Sequence, residues 1–283
     1  MKIDAGDITR AGALALVLAL GQMAAGMVFF RGSPGFASDG PLGAGSALIV
    51  VALIDAAILT ALARNMGLRG WALGLALGSV LFLVQTGLSL IEAIMFNNDL
   101  KMSPALLGAT AIAALARDAI GGIAIALMWR GPSAPGLIGR GLAWKLPATA
   151  FFYLFCYFAA GQLIAWQSAE VRAFYAHIGE IDLAHLAGLQ IARGLVWGAL
   201  AWLLARSLSG PDWKAALLVG LAFAGLMAPA LLFPNPAMPW PVRWVHMVEI
   251  GVSNFLFGLI AAFVLRHGAR RKSGSREAEA LPA

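Results

Sequence analysis

Eight stretches of roughly twenty apolar residues, broken by short polar or basic segments, make up nearly the whole chain. They lie near 11–30, 44–63, 71–97, 103–129, 146–166, 186–207, 213–233 and 243–265. Each is long enough to cross a hydrocarbon core about 30 Å thick as a helix. Strand-like alternation is absent, and Ala, Leu and Gly dominate the runs. The pattern predicts an all-α polytopic bundle of eight transmembrane helices and argues against an outer-membrane barrel. Lys2 and Arg10 flank the first run as they would a signal peptide, but its length suits a retained span. Residues 266–283, charged and rich in Ser and Ala, read as a disordered cytoplasmic tail.

Polar positions inside the runs fall at helical spacing. In the last span Arg243, His246, Glu249 and Ser253 recur every three or four residues, with Asn254 beside them, and so form one polar stripe on an otherwise apolar helix. In the third span Gln85, Ser89 and Glu92 do the same. The sixth contributes Gln190 and Arg193, and the first and fifth add Gln22, Tyr157 and Gln162. Ionisable groups at membrane depth are costly, so these faces are expected to turn inward and to meet in a cavity in the outer half. Asp55 and the adjacent Arg117 and Asp118 lie nearer the middle of their spans. Neighbours on a helix point about 100° apart, so Arg117 and Asp118 are expected to address different partners.

Counting charges assigns roles. Asp55, Glu92, Asp118 and Glu249 are four acids inside spans that hold two permanent cations, Arg117 and Arg193. If each arginine takes one acid, two carboxyls are left able to exchange protons near neutral pH. Glu249 is the first candidate for proton coupling, with Asp118 and Asp55 behind it; Arg193, Arg243, Gln85, Ser89, Gln190, Ser253 and Asn254 are candidate substrate-binding residues. In an enzyme, Glu249, His246 and Glu92 would be the catalytic acids and bases. The same side chains also suit plain hydrogen bonding between helices. His177, His185 and His246 offer a weak zinc alternative, without any fixed-spacing ligand signature.

Composition narrows the class. Hydrophobic residues make up 60% of the chain and charged ones 12%, and the mean hydropathy is +0.82, so lipid is the solvent for most of it. The single cysteine, Cys156, lies in an apolar run and excludes a disulfide or CxxC centre. Lys and Arg concentrate at the N-terminus, after the second, fourth and sixth runs, and in the tail. That bias puts both termini on the cytoplasmic side of a bacterial inner membrane, and attraction to anionic lipid explains the net charge of +6 without a nucleic-acid partner. The segment Ser168 to Ala184 would then be an interfacial helix on the periplasmic side. The prolines between Pro234 and Pro241 predict a stiff connector into the last span. Gly74 with Gly78, and Gly194 with Gly198, mark close helix contacts.

Internal echoes suggest two parallel repeats, 10–130 and 146–266. Ala61-Leu-Ala-Arg64 before Trp71 matches Leu203-Leu-Ala-Arg206 before Trp213, and Met95-Phe-Asn-Asn98 matches Leu232-Phe-Pro-Asn235. Trp129-Arg130 matches Leu265-Arg266. No nucleotide, haem or hydrolase motif is present, and no cofactor is implied. Three function classes remain: a small permease with a polar, proton-titrating cavity; a membrane enzyme acting on a lipid or isoprenoid from the periplasmic side; and a scaffold. The ligand's identity and the oligomeric state are not written in the sequence.

Overall fold

The computed structural model describes residues 4–30, 39–95, 102–176, 182–235 and 238–271. A reciprocal cap opens the first helix. Asp4 accepts a hydrogen bond from the Asp7 N–H at 2.8 Å, and Asp7 accepts one from the Asp4 N–H at 3.3 Å. Helix α1 (Ala5–Phe29) therefore begins well before the apolar run does. It is followed by α2 (Ala44–Asn65), α3 (Gly70–Met95) and α4 (Pro104–Met128), then by α5 (Leu142–Leu163) and a short α6 (Ala169–Tyr175). The last three are α7 (Leu183–Ser207), α8 (Asp212–Met227, prolonged by a 3-10 turn over Ala228–Leu232) and α9 (Trp240–Arg266). All but α6 are long and apolar enough to span a bilayer, and the protein is a multi-pass membrane helical bundle.

Large side chains such as Leu75, Phe155 and Leu163 stand exposed on the bundle surface, as lipid contact requires. Trp71, Trp144 and Trp213 sit in the first turns of α3, α5 and α8, all exposed, and mark one interfacial belt. Inside, Tyr153, Trp197, Phe223 and Phe257 pack ring against ring where α5, α7, α8 and α9 meet.

The two halves of the chain pack alike. In the first, α1 lies against α2 and α4, and α3 against α4; in the second, α5 lies against α7 and α9, and α8 against α9. Corresponding tight crossings in the two halves are made by glycines. Gly78 and Gly122 bring α3 and α4 so close that a Cβ on Gly122 would lie 2.7 Å from the Gly74 carbonyl, and Gly220 and Gly258 do the same for α8 and α9, where a Cβ on Gly258 would lie 2.9 Å from the Gly220 Cα. With Trp71 laid over Trp213 and Arg130 over Arg266, Gly78 falls on Gly220 and Gly122 on Gly258.

At the end bearing both termini, α2 and α7 meet through Met66 and Leu208, which form an antiparallel bridge. Gly67 N–H donates to the Ser207 carbonyl at 2.6 Å and Ser209 N–H to the Asn65 carbonyl at 2.7 Å. In that superposition Met66 falls on Leu208 and Gly67 on Ser209, so each bond is the other's counterpart. The helix ends are also finished alike: Arg69 donates to the carbonyls of Ala63, Met66 and Leu68, and Arg266 to those of Ala205, Leu208 and Gly210, the corresponding set. Arg266, assigned to the tail by composition, is thus the last buried residue of α9. Beyond it Arg270–Arg271 pair antiparallel with Leu137–Ile138, while 272–283 lie outside the described residues.

Candidate functional site

The polar side chains form two centres. The first lies toward the end opposite the termini. Arg193 of α7, only 2% exposed, pairs with Glu92 of α3 at 2.7 Å. Glu92 also accepts from the Tyr157 hydroxyl at 3.2 Å and from Gln190 Nε2 at 3.3 Å, and Arg193 donates back to Gln190 Oε1 at 2.9 Å. On α9, one turn apart, His246 Nδ1 lies 2.6 Å from Glu249 Oε2, and His246 Nε2 lies 3.1 Å from the Tyr175 hydroxyl of α6. In the neutral ring a carboxylate facing Nδ1 selects the Nδ1–H tautomer, which leaves Nε2 to accept from Tyr175. Carboxylate, imidazole and phenol then form one chain. Burial pushes the Tyr175 phenol up to about 12, with Glu249 and Glu92 adding to the shift, so it stays a neutral donor. Both carboxylates also lie within electrostatic reach of Tyr157. Glu92, Arg193, His246 and Glu249 therefore occupy one neighbourhood.

The second centre lies halfway along the helices of the first half. Asp55 of α2 accepts from Gln85 Nε2 at 2.9 and 3.2 Å, and the same amide donates to the Leu226 carbonyl of α8 at 3.0 Å. Arg117 of α4 donates to Asp118 at 2.6 Å and to Gln22 of α1 at 3.0 Å. The expectation that Arg117 and Asp118 look apart is corrected here. The guanidinium sits on a flexible stem of several bonds, and its Nε curls back to the neighbouring carboxylate despite the divergence of the Cα–Cβ directions. Arg117 and Asp118 lie within electrostatic reach of Asp55. Three buried atoms here, Gln85 Oε1, Arg117 Nη2 and Asp118 Oδ2, have no hydrogen-bond partner among the described residues, at about 1–3 kcal/mol each.

Gln85 owes its position to a backbone feature. Residues Leu83–Gly87 of α3 are π-helical, and this shifts the face that follows them. Gln85 consequently faces α2 and α8, whereas Glu92 faces α5 and α7, and the expected common face of Gln85, Ser89 and Glu92 is divided. Ser89, half-buried, lies between them.

Three other candidates are engaged elsewhere. Arg243, 1% exposed, grips both carboxylate oxygens of Asp39 at 2.8 and 2.9 Å and the carbonyls of Leu231, Asn235 and Met238. It is a clamp on the connector before α9, and it leaves the stripe expected to hold it with His246 and Glu249. Asp39 escaped the sequence reading because nothing local pairs a loop aspartate with an arginine some two hundred positions away. Ser253 donates to the Ile250 carbonyl of its own helix, and Asn254 to Met227 Sδ at 3.1 Å, inside the α8–α9 contact. Tyr175 was also missed, since an interfacial aromatic carries no sign of a histidine partner. Asp182, three residues before His185, caps α7 by accepting from the Ala184 and His185 N–H groups. Among the described residues no three His, Cys, Asp or Glu side chains converge as metal ligands; His177 lies outside those residues. Two open, shallow pockets lie elsewhere, one on the apolar face of α5 and one at the end bearing the termini.

Comparison of the chain with protein-family models, curated proteins and solved structures found no match.

Proposed function

We propose that the chain is a small permease of the cytoplasmic membrane, built from two parallel four-helix repeats, with both termini in the cytoplasm and proton exchange at His246 and Glu249. One observation carries the reading. Helix α3 is π-helical over Leu83–Gly87, partway along its length, and α8 ends in the 3-10 turn Ala228–Leu232, just beyond the facing Leu226. They touch there through Gln85 and the Leu226 carbonyl, beside buried Asp55. Irregular helix segments are how transporters expose backbone and polar groups to a solute at the membrane midplane. The three unpartnered atoms nearby supply acceptors and a donor for that solute or its water.

The acids divide accordingly. Arg117 holds Asp118 and Arg193 holds Glu92, so the carboxyls without a permanent cation are Asp55 and Glu249. Glu249 reaches the outer surface through His246 and Tyr175, a path suited to proton entry, and Asp55 replaces Asp118 as the inner proton site. The test is mass spectrometry of the solute that co-purifies in nanodiscs, followed by its flux in liposomes. A water-soluble solute whose flux loses its pH dependence in Glu249→Gln supports the permease; an isoprenoid or lipid held beside Glu92 and Arg193, with no solute flux, would replace it with the enzyme reading.

A further inference from the structure

At the end bearing both termini, the start of α5 and the end of α9 border an open, shallow pocket whose lining includes Arg140, Gly141, Trp144, Lys145 and His267 and, among the described residues, no carboxylate. Lys145 is the unusual member. It is 4% exposed, its Nζ donates to the His267 carbonyl at 2.5 Å, and it stands 5.8 Å from the centre of the Trp144 ring. Among the described residues it forms no ion pair. An ammonium has three donors, and a neutral carbonyl with an aromatic face does not offset a buried charge. Arg140 stands exposed at the rim. Helix α5 also begins here without a side-chain cap: Gly141 holds the N-cap at φ 68°, a left-handed conformation that glycine takes readily, and no side chain among the described residues caps the first N–H groups of the helix.

We propose that this pocket binds the phosphate of an anionic lipid headgroup, with Lys145 as the buried counter-charge, Arg140 closing over the rim and the α5 N-terminus supplying N–H donors. The shared chemistry is a phosphate oxyanion, which a soluble phosphate also carries. The lipid is the better source because Trp144 stands beside the pocket in the belt of Trp71 and Trp213, the level at which lipid phosphates lie. The site is separate from the two polar centres and does not depend on the transport reading.

Native mass spectrometry of the full chain, released from nanodiscs of equal phosphatidylglycerol and phosphatidylcholine, tests it. The wild type should retain phosphatidylglycerol in preference, and Arg140→Gln should lower that retention about fivefold, the effect of one basic side chain near a charged headgroup. Lys145→Gln should lower it at least as much. Because Lys145 is buried, Arg140→Gln, at an exposed position, keeps the test decisive if the lysine variant does not fold. Phosphatidylcholine retention should not change, and millimolar inorganic phosphate should not displace the bound lipid. Equal retention of phosphatidylglycerol by wild type and Arg140→Gln overturns the proposal. Displacement by inorganic phosphate, together with a thermal shift by phosphate alone in phosphatidylcholine discs that Arg140→Gln removes, assigns the pocket to a soluble anion and overturns the lipid.

Discussion

Arg193 and Arg243 are buried alike and work differently. Arg193 balances Glu92 inside the bundle, and removing it leaves a carboxylate facing two neutral donors, Tyr157 and Gln190. Glu92 keeps partial exposure, so Arg193→Ala should cost about 2 kcal/mol, short of the roughly 3 to 5 typical of a fully buried pair. Thermal unfolding in detergent reads it, and exposed Arg130→Ala, which removes a hydrogen bond from Nε to the Leu127 carbonyl at the surface, should barely move the midpoint. Arg243 instead joins a loop to a helix start, and its hydrogen bonds hold the Asp39 carboxyl below its ordinary 3.8. A group whose folded pKa is lowered gives stability that is complete above its unfolded value and is lost as pH falls through the folded one. The stability difference between wild type and Asp39→Asn should therefore stay constant above about pH 4.5 and shrink below 3.8; a difference that grows on acidification would contradict the clamp. Charge counting made it legible from the sequence that Arg193 takes one of the acids, and left open that the partner is Glu92. It could not resolve Arg117–Asp118, because helical geometry fixes where a Cβ points and says little about the tip of a long side chain.

At the scale of elements, eight apolar runs were enough to find eight spans, because length and hydropathy are what a bilayer selects. What the runs hid was local. The Asp4 cap extends α1 beyond its apolar stretch, and the π segment at Leu83–Gly87 has no composition signal, since its residues would serve an α-helix equally well. Its consequence is large, because it turns Gln85 toward Asp55 and Leu226 and away from the face of Glu92. The glycine contacts were visible in part: Gly74 with Gly78 and Gly194 with Gly198 form recognisable pairs that meet α4 and α5, whereas Gly122, Gly220 and Gly258 carry no such spacing to their facing helices. At Gly122 and Gly258 an added Cβ meets facing backbone, which cannot step aside as a side-chain tip can. Gly122→Ala and Gly258→Ala should each lower stability by about 1–3 kcal/mol, while Gly12→Ala, where nothing lies within 4 Å, should be neutral or slightly stabilising. Equal midpoints for all three would mean that the crossings are looser than drawn.

For the whole molecule, the proposed duplication rests on contacts between corresponding positions: Met66 with Leu208, Gly78 on Gly122 as Gly220 on Gly258, and two guanidinium groups capping matching carbonyls. The sequence carried only three short echoes of it, which Ala- and Leu-rich chains produce readily by chance. The polar chemistry is not duplicated. On that alignment Asp118 corresponds to Asn254, Asp55 to Trp197 and Gln85 to Met227, and the outer centre is built across the halves, from Glu92 of the first and Arg193 of the second. If the halves rock against each other to move a solute, the Met66–Leu208 bridge must part when the bundle opens toward the termini. The bonds beside it run from the flanking residues, which makes Met66 and Leu208 a non-hydrogen-bonded antiparallel pair, with Cα atoms about 4.5 Å apart, close enough for a disulfide. Met66→Cys with Leu208→Cys, in a Cys156→Ala background, should therefore oxidise readily and raise the thermal midpoint. Oxidation should stop flux of the co-purified solute, leave its binding from the opposite side intact, and be reversed by reductant. Undiminished flux through the cross-linked protein would show that this end need not open, and the rocking of two halves would have to give way to a pathway confined to one of them.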